Sequence, residues 1–237
     1  MQLRDNEIHI IAAPLAHPFP EQWLATLNDE ERERAARLHL PLHQQRFTMA
    51  RAILRHLLGL YLNAEPKSLT FSYGEYRKPA LAGTFANQLQ FNLSHSADMA
   101  MYAFILNGQI GIDIEKVRQE NKSDIATRFF STAEISALQA LPPADQTAGF
   151  YCLWARKEAI IKANGKGFAQ PLSSFSVSLA NQPELLQIDH QSWNLYPLAI
   201  HQDYAAAVAT AKPVTSLLIW DFIDQKASLR SIIKLSS

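Results

Sequence analysis

The sequence of 237 residues has little of several features that would define its class. Its single cysteine, Cys152, excludes an internal disulfide and is typical of a reducing compartment. It carries 22 basic and 22 acidic residues, so no net charge favours nucleic acid or an anionic membrane. No apolar run approaches the length of a membrane span, and the run at residues 8–16 is broken by His9 and Pro14. We therefore expect a cytoplasmic, monomeric protein without a signal peptide, which binds neither nucleic acid nor membrane.

One short segment, residues 109–115, alternates strictly between isoleucine and other residues. A period of two predicts a β-strand, with the isoleucines on one face and Asp113 and Glu115 on the other. Asp and Glu are poor strand formers, and here they lie roughly 6–7 Å apart along the strand. The pair indicates either a solvated acidic edge or a site for a hard cation.

The residues before this strand also have a strand pattern. Residues 89–93 alternate, residues 99–106 are nearly all apolar, and Asn107-Gly108 is a strong hairpin signal. These features predict an antiparallel meander over residues 89–115. It would place Ser94 and His95 beside the two carboxylates and make their strand the last element of a first lobe.

A strong helix is predicted from about residue 147 to 163. Trp154, Glu158 and Lys162 are spaced by four and share one face. A Glu and a Lys at this spacing usually form only a surface ion pair.

Three carboxylates, Asp113, Glu115 and Glu158, are the best candidates for one oxygen-ligand site. Oxygen ligands without a His or Cys cluster suit Mg²⁺, which completes its shell with water and substrate phosphates. Lys162 would place an ammonium beside the same phosphates.

Half of the twelve arginines lie within 24 residues, on two predicted helices at about 28–38 and 43–62. Each arginine alone is typical of a solvated helix face, whereas the cluster suits a polyanionic ligand because arginine binds phosphate bidentately. The six are Arg32, Arg34, Arg37, Arg46, Arg51 and Arg55.

A faint repeat relates the two halves of the chain. Residues 50–55 resemble 155–162, and residues 95–103 resemble 201–209. The repeat predicts two similar α+β lobes, which we place at residues 1–116 and 117–237.

Four motifs occur in order: Arg-Lys-Pro at 77–79, Phe-Asn-Leu-Ser-His-Ser at 91–96, Gly-Ile-Asp-Ile-Glu at 111–115 and Trp-Ala-Arg-Lys-Glu-Ala-Ile-Ile-Lys at 154–162. Together they resemble the Sfp-type 4′-phosphopantetheinyl transferases over about residues 28–180. The resemblance implies an α+β fold of pseudo-twofold duplicated lobes, each a small antiparallel sheet with a long helix. Coenzyme A would lie in the cleft between the lobes. Where the family usually has glycine before Lys-Pro, this chain has Arg77.

The resemblance also implies roles for individual residues. Asp113, Glu115 and Glu158 would bind Mg²⁺ on the pyrophosphate, and Lys162 would contact that pyrophosphate. Ser94 and His95 would contact phosphates, Lys78 and Pro79 the adenine end, and Arg46 the nucleotide. Arg34 and Arg37 are weaker matches. Glu158, or a water it holds, is our hypothesis for the general base. Glu134 also matches a family carboxylate, although a capping box with Ser131 explains it fully.

The activity implied is transfer of the phosphopantetheine arm of coenzyme A to a serine of an apo acyl or peptidyl carrier protein, releasing adenosine 3′,5′-bisphosphate. The carrier would dock near residues 116–130, with Phe129-Phe130 as an apolar anchor. Two alternatives use the same residues: a Mg²⁺-dependent phosphodiesterase or nuclease, and a carrier-binding module without activity.

Overall fold

The computed structural model describes residues 1–16, 20–120, 122–223 and 226–235, apart from the side chain of Phe168. Within these ranges the helices are α1 (Glu21–Leu24), α2 (Asp29–Ala36), α3 (Pro41–Leu62), α4 (Ser123–Phe129), α5 (Thr132–Gln139) and α6 (Pro143–Asn164). The strands are β1 (Glu7–Pro14), β2 (Phe71–Tyr73), β3 (Pro79–Leu81), β4 (Gln90–Ser96), β5 (Met99–Ile105), β6 (Ile110–Lys116), β7 (Glu184–Ile188), β8 (Gln191–Leu198), β9 (Tyr204–Thr210), β10 (Ser216–Ile223) and β11 (Lys226–Lys234). Of the helices in the described ranges, none combines the length and hydropathy that crossing a bilayer requires.

Two larger sheets and two long helices stack in four layers. The first sheet has the order β11-β10-β1-β5-β4, and the second has the order β6-β9-β8-β7. One core lies between α3 and the first sheet, and another between α6 and the second sheet. A third core joins the inner faces of the two sheets. We call the first sheet with α3 the first lobe and the second sheet with α6 the second lobe. The predicted α+β class is confirmed.

The alternation in β6 has a direct structural cause. Its three isoleucines are at most 1% exposed and pack between the two sheets, against residues such as Ile10 and Met101. The opposite face, with Asp113, contacts α6 through Lys162. The predicted split of isoleucines from carboxylates is therefore confirmed.

The prediction that β6 closes a hairpin in the first lobe is wrong. β6 pairs antiparallel with β9, from Ile110 with Thr210 to Lys116 with Tyr204, and so begins the second sheet. Asn107-Gly108 connects two sheets because the isoleucine face is buried between them. The division at residues 1–116 and 117–237 stays a prediction; strand pairing groups β6 with the later strands and returns β10 to the first sheet beside β1.

The two lobes meet along a seam between β4 and β6, which are edge strands of their own sheets. Side chains of β4 replace the backbone ladder there. The Asn92 Oδ1 atom accepts from Ile112 N at 2.8 Å, and Ser96 Oγ accepts from Lys116 N at 3.1 Å. The predicted neighbourhood of β4 and β6 therefore holds, although it is built by side chains across the seam.

The lobes repeat one helical arrangement. α3 and α6 each have 22 residues, begin at a proline and are followed by a left-handed capping residue, Asn63 or Gly165. Each follows a shorter helix with a capping box, Asn28 with Glu31 in α2 and Ser131 with Glu134 in α5. In both capping boxes the glutamate is buried.

Each buried glutamate pairs with a cation on the long helix. Glu31 lies 2.7 Å from Arg55, and Glu134 lies 2.8 Å from Lys157. Both cations also donate to two backbone carbonyls, of Pro66 and Leu69 for Arg55, and of Leu172 and Phe175 for Lys157. Arg55 therefore corresponds to Lys157, and our sequence alignment of residues 50–55 with 155–162 has the wrong register.

Gly111 sets the distance between β6 and α6. A Cβ atom at this position would lie 2.2 Å from both Ala159 O and Ala163 N, which are backbone atoms of α6. The helix can therefore approach β6 this closely only because residue 111 has no side chain.

Replacing Gly111 by alanine is expected to destabilise the protein by at least about 3 kcal/mol, at the upper end of overpacking costs, because helix backbone must move. Chemical denaturation measures the loss. Gly74→Ala is the matched control, since a Cβ there meets nothing within 4 Å. Equal stability of the two variants would contradict the packing argument.

Candidate active site

A cleft of about 410 Å³ opens where the lobes meet. It is bounded by α3, the β2–β3 hairpin, β4 and the C-terminal end of α6. Its lining residues are Arg34, Phe47, Ala50, Arg51, Tyr76, Arg77, Lys78, Pro79, Asn92, Leu93, Ser94, His95, Glu158, Ile161, Lys162, Gly165 and Gly167.

Most of the predicted site residues lie in or beside this cleft. Lys78, Pro79, Ser94, His95, Glu158 and Lys162 line it. Asp113 lies behind Lys162 and is 2% exposed, and Glu115 is half-buried next to it on β6. Arg46 is not among the described residues that line the cleft. The four motifs are therefore brought together, with Arg46 at the periphery.

Three side chains from three elements form the centre of the site. The Lys162 ammonium donates to Asp113 Oδ1 at 2.5 Å and to Ser94 Oγ at 2.8 Å. The Ser94 hydroxyl donates to the same Asp113 oxygen at 2.8 Å. α6, β6 and β4 thus contribute one residue each, and the ammonium faces the cleft.

Burial and the charge of Asp113 raise the pKa of the two neighbouring glutamates. Burial, followed by the charge of Asp113, raises the pKa of Glu158 to about 7. Burial and Asp113 also raise the pKa of Glu115, whose Oε2 accepts from Ser96 Oγ at 2.9 Å. A cluster of like charges at low exposure is costly and is typical of functional sites.

The donor set fits a divalent cation, although it is not arranged around one. Within the described ranges, no three His, Cys, Asp or Glu side chains stand in a metal-holding arrangement. Asp113 Oδ2 and Glu158 Oε1 are nevertheless buried without a hydrogen-bond partner among the described residues. Buried oxygen atoms without a hydrogen-bond partner need another source of positive charge. Carboxylate oxygens are also the ligands that Mg²⁺ prefers.

The β2–β3 hairpin forms one wall of the cleft. Arg77 has a φ of 59°, in the left-handed region, and its amide donates to Gly74 O at 2.9 Å to close the turn. This conformation favours glycine, the residue that the resemblance predicts at this position. The Arg77 side chain lines the cleft.

Arg46 is held by an internal partner. Its guanidinium donates twice to Asp98 Oδ1, at 3.0 and 2.5 Å. Nearby, desolvation and the charges of Lys162 and Arg46 lower the pKa of His95. This end of the site therefore gathers cations, with Asp98 as counter-ion to Arg46.

Several functional positions escaped the sequence reasoning. Tyr76 lines the cleft, and Asn92 and Ser96 build the seam beside it. A signal was present for the seam, because residues 92, 94 and 96 are polar at a period of two on one strand face. Two members of the arginine cluster are internal, since the buried Arg51 and Arg55 neutralise Glu31, whereas Arg34 is exposed at the cleft.

The expected apolar anchor at Phe129-Phe130 holds only one ring that a partner could reach. Phe130 is 3% exposed within the core of the second lobe and cannot serve as an anchor. Phe129 is half-buried and packs edge-on against Trp154 with 5.7 Å between ring centroids, so its part in docking stays a prediction.

The two lobes meet at a cleft lined by Lys162, Arg34 and Arg77, and this charge suits an anionic ligand. The profile described as the 4′-phosphopantetheinyl transferase superfamily matches residues 109–209. That of the N-terminal part of 4′-phosphopantetheinyl transferases matches residues 15–106.

Curated relatives extend the match over most of the chain. The 4′-phosphopantetheinyl transferase HetI of Nostoc sp. is 38% identical over 216 residues, which are 89% of this chain and 90% of that protein. The 4′-phosphopantetheinyl transferase Sfp of Bacillus subtilis is 32% identical, over 84% and 89%. Among solved structures, holo-[acyl-carrier-protein] synthase of Thermotoga maritima aligns with a TM-score of 0.32 and 16% identity, over 49% of this chain and 70% of that one.

The chain belongs to the 4′-phosphopantetheinyl transferase superfamily. It is an enzyme, and its reaction is the transfer of 4′-phosphopantetheine.

Proposed function

We propose that this enzyme takes the phosphopantetheine arm from coenzyme A and attaches it to a serine of an apo acyl or peptidyl carrier protein, releasing adenosine 3′,5′-bisphosphate. The observation that carries the proposal is that Glu158 and Lys162, four residues apart on α6, both line the cleft. One supplies positive charge for a pyrophosphate, and the other is a carboxyl group with a pKa near neutral pH.

The cations of the cleft match the charge of the donor. Lys162, Arg34 and Arg77 line its walls. The Arg34 guanidinium lies 5.4 Å from the centroid of the Phe47 ring, so arginine and ring form a flat, charged surface suited to a nucleotide phosphate. Pro79 and Tyr76 add apolar surface for the adenine end.

Asp113, Glu115 and Glu158 would hold Mg²⁺. A bound Mg²⁺ supplies neutralisation of the pyrophosphate charge. Lys162 would then contact a phosphate oxygen, since its ammonium already lies at the cleft surface. Ser94 orients Lys162 by accepting its hydrogen bond.

Glu158 would act as the general base. The carrier serine hydroxyl gives its proton to the Glu158 carboxylate while its oxygen forms a bond to the β-phosphorus. The bond from that phosphorus to the oxygen of the 5′-phosphate breaks, and the nucleotide leaves with the electron pair. Lys162 stabilises the charge that develops on the leaving phosphate. In the metal-free protein burial raises the pKa of Glu158 to about 7, in the range of a base that works at neutral pH.

We also propose that the enzyme acts as a monomer in the cytoplasm. One chain supplies both walls of the cleft, and Cys152 is a free, half-buried thiol whose pKa is raised by burial.

Intact mass spectrometry tests the activity. The protein is incubated with coenzyme A, Mg²⁺ and a panel of apo acyl and apo peptidyl carriers. A mass increase of one phosphopantetheine on a carrier, lost when its acceptor serine is changed to alanine, supports the proposal. Coenzyme A cleavage without a mass increase on any carrier would instead identify a phosphodiesterase.

Replacing Asp98 by asparagine is expected to tighten coenzyme A binding roughly two- to fivefold, because it frees Arg46 from an exposed ion pair. Isothermal titration calorimetry measures the Kd. Asp29→Asn is the control, since it frees Arg32 in a comparable exposed pair on α2. Weaker binding by Asp98→Asn would show that Asp98 orients Arg46 for the ligand.

A further inference from the structure

Lys78 joins three segments of the chain at one ammonium group. It lies at the base of the β2–β3 hairpin, where its carbonyl accepts from Gly74 N at 3.3 Å. Its Nζ atom donates to Ile110 O at 2.8 Å and to Ala163 O at 3.2 Å. Ile110 begins β6, and Ala163 belongs to the last turn of α6. One side chain of the hairpin thus contacts both β6 and α6.

Physical chemistry favours a cation at this position. The last four carbonyls of a helix have no partner within the helix, and their dipoles attract positive charge. Ala163 is one of these residues because α6 ends at Asn164. Desolvation lowers the pKa of Lys78 to about 8, so the amine is still mainly protonated at neutral pH.

The two acceptors lie close to the centre of the site. Ala163 directly follows Lys162, and Ile110 precedes Asp113 by three residues on the same strand. Between them, Gly111 allows α6 to approach β6 to backbone contact. Lys78 therefore connects the same two elements whose spacing fixes the 2.5 Å contact between Lys162 and Asp113.

The hairpin that carries Lys78 also lines the cleft. The Tyr76 ring lies against Gly167 in the loop after α6, where a Cβ atom would meet the ring at 2.8 Å. Arg77 and Pro79, the neighbours of Lys78, line the cleft. A substrate that contacts this wall would thus touch residues joined to Lys78 by one peptide bond.

We propose that Lys78 is a positioning residue, whose ammonium fixes β6 against the end of α6 and couples the cleft-lining hairpin to Lys162 and Asp113. This inference rests on the proposed function and differs from a direct contact of the Lys78 side chain with the adenine end. The side chain is directed to two backbone carbonyls, which leaves adenine contacts to the hairpin backbone, Tyr76 and Pro79.

The test separates positioning from ligand binding. Lys78→Met keeps the length of the side chain and removes the charge. We expect kcat with an apo carrier to fall about 10²-fold, the size of effect that follows a small misplacement of reacting groups. The Kd for coenzyme A should change less than about threefold, well below the loss expected for a direct phosphate contact. Lys166→Met is the matched control, because Lys166 lies in the adjoining loop and pairs with exposed Asp189.

The opposite pattern would overturn the proposal. A Kd raised more than about tenfold with kcat at saturation unchanged would make Lys78 a nucleotide ligand. Unchanged kcat and Kd would leave it without a role. Lys78→Arg keeps the charge and should retain more of kcat than Lys78→Met. If the methionine variant does not fold, Lys78→Arg takes its place. A lowered kcat with little change in Kd then supports positioning, and a raised Kd with unchanged kcat contradicts it. Each series includes the wild-type enzyme as a separate reaction. Its failure to modify any carrier would refute the proposed function and not the role of Lys78.

Discussion

Replacing Glu158 by glutamine is expected to lower kcat by roughly 10²–10⁴-fold, the usual contribution of a general base. The Kd for coenzyme A should stay within about threefold, because glutamine keeps the shape of the side chain and Lys162 remains. Single-turnover kinetics with an apo carrier, combined with calorimetric titration of coenzyme A, measures both quantities. Equal losses in kcat and in affinity would make Glu158 only a ligand of the substrate or its metal, without the additional role of base.

The same substitution should stabilise the protein at alkaline pH. The folded-state pKa of Glu158 is about 7, above its ordinary value of 4.5. The folded form therefore binds the proton more tightly, and stability falls as pH rises from about 4.5 to 7. Above pH 7 the wild type carries the full cost, about 3 kcal/mol, which glutamine removes. Below pH 4.5 the two proteins should be equally stable.

Urea denaturation at pH 4.5 and pH 8, in EDTA, measures this difference. Glu65→Gln is the control because Glu65 is exposed and away from the cleft. Mg²⁺ provides a second readout, since it should stabilise the wild type more than Glu158→Gln if Glu158 is one of its ligands. A variant less stable than the wild type at pH 8 would contradict the assigned electrostatics.

Replacing Glu134 by glutamine is expected to cost about 3–5 kcal/mol of stability, because it removes one partner of a buried ion pair. The side chains of Glu134 and Lys157 are 1% and 0% exposed. Glu134 also caps α5 and accepts from Val177 N at 2.8 Å. Burial already lowers the pKa of Lys157, and loss of the carboxylate would lower it further. Thermal and chemical denaturation measure the loss.

This variant also tests whether Glu134 is catalytic. Glu134 is not among the described residues that line the cleft. The folded variant should therefore keep its kcat when assayed well below its melting temperature. The double variant Glu134→Gln, Lys157→Met removes both charges and should recover much of the lost stability. A loss of kcat without a loss of stability would assign Glu134 to the reaction.

The sequence was sufficient for the local elements of the site. The period of two in β6, the spacing of four in α6 and the capping box at Ser131 each follow from the backbone geometry of a single element. Such patterns respond to local geometry, and the structure has all three. The four motifs then indicated which elements come together.

What the sequence did not predict depends on contacts between distant segments. Asn107-Gly108 is a strong turn signal, but burial of the β6 isoleucines between two sheets overrides the hairpin. β1 pairs in parallel with β10, about 200 residues later, and no local pattern encodes that partner. We expected three cations to contact a ligand: Lys78, Arg51 and Arg46. In the structure, carbonyls or carboxylates of the protein accept their hydrogen bonds.

The seam between β4 and β6 has a consequence for how the lobes recognise each other. A backbone ladder accepts almost any strand, which makes an uncovered edge prone to pairing with other chains. Here the hydrogen bonds between the strands are made by the side chains of Asn92, Ser94 and Ser96, which bond to atoms at defined positions of β6. Each lobe thereby covers the other's open edge through contacts that only a matching sequence can make. The polar stripe that orients Lys162 thus also protects the protein against indiscriminate strand pairing.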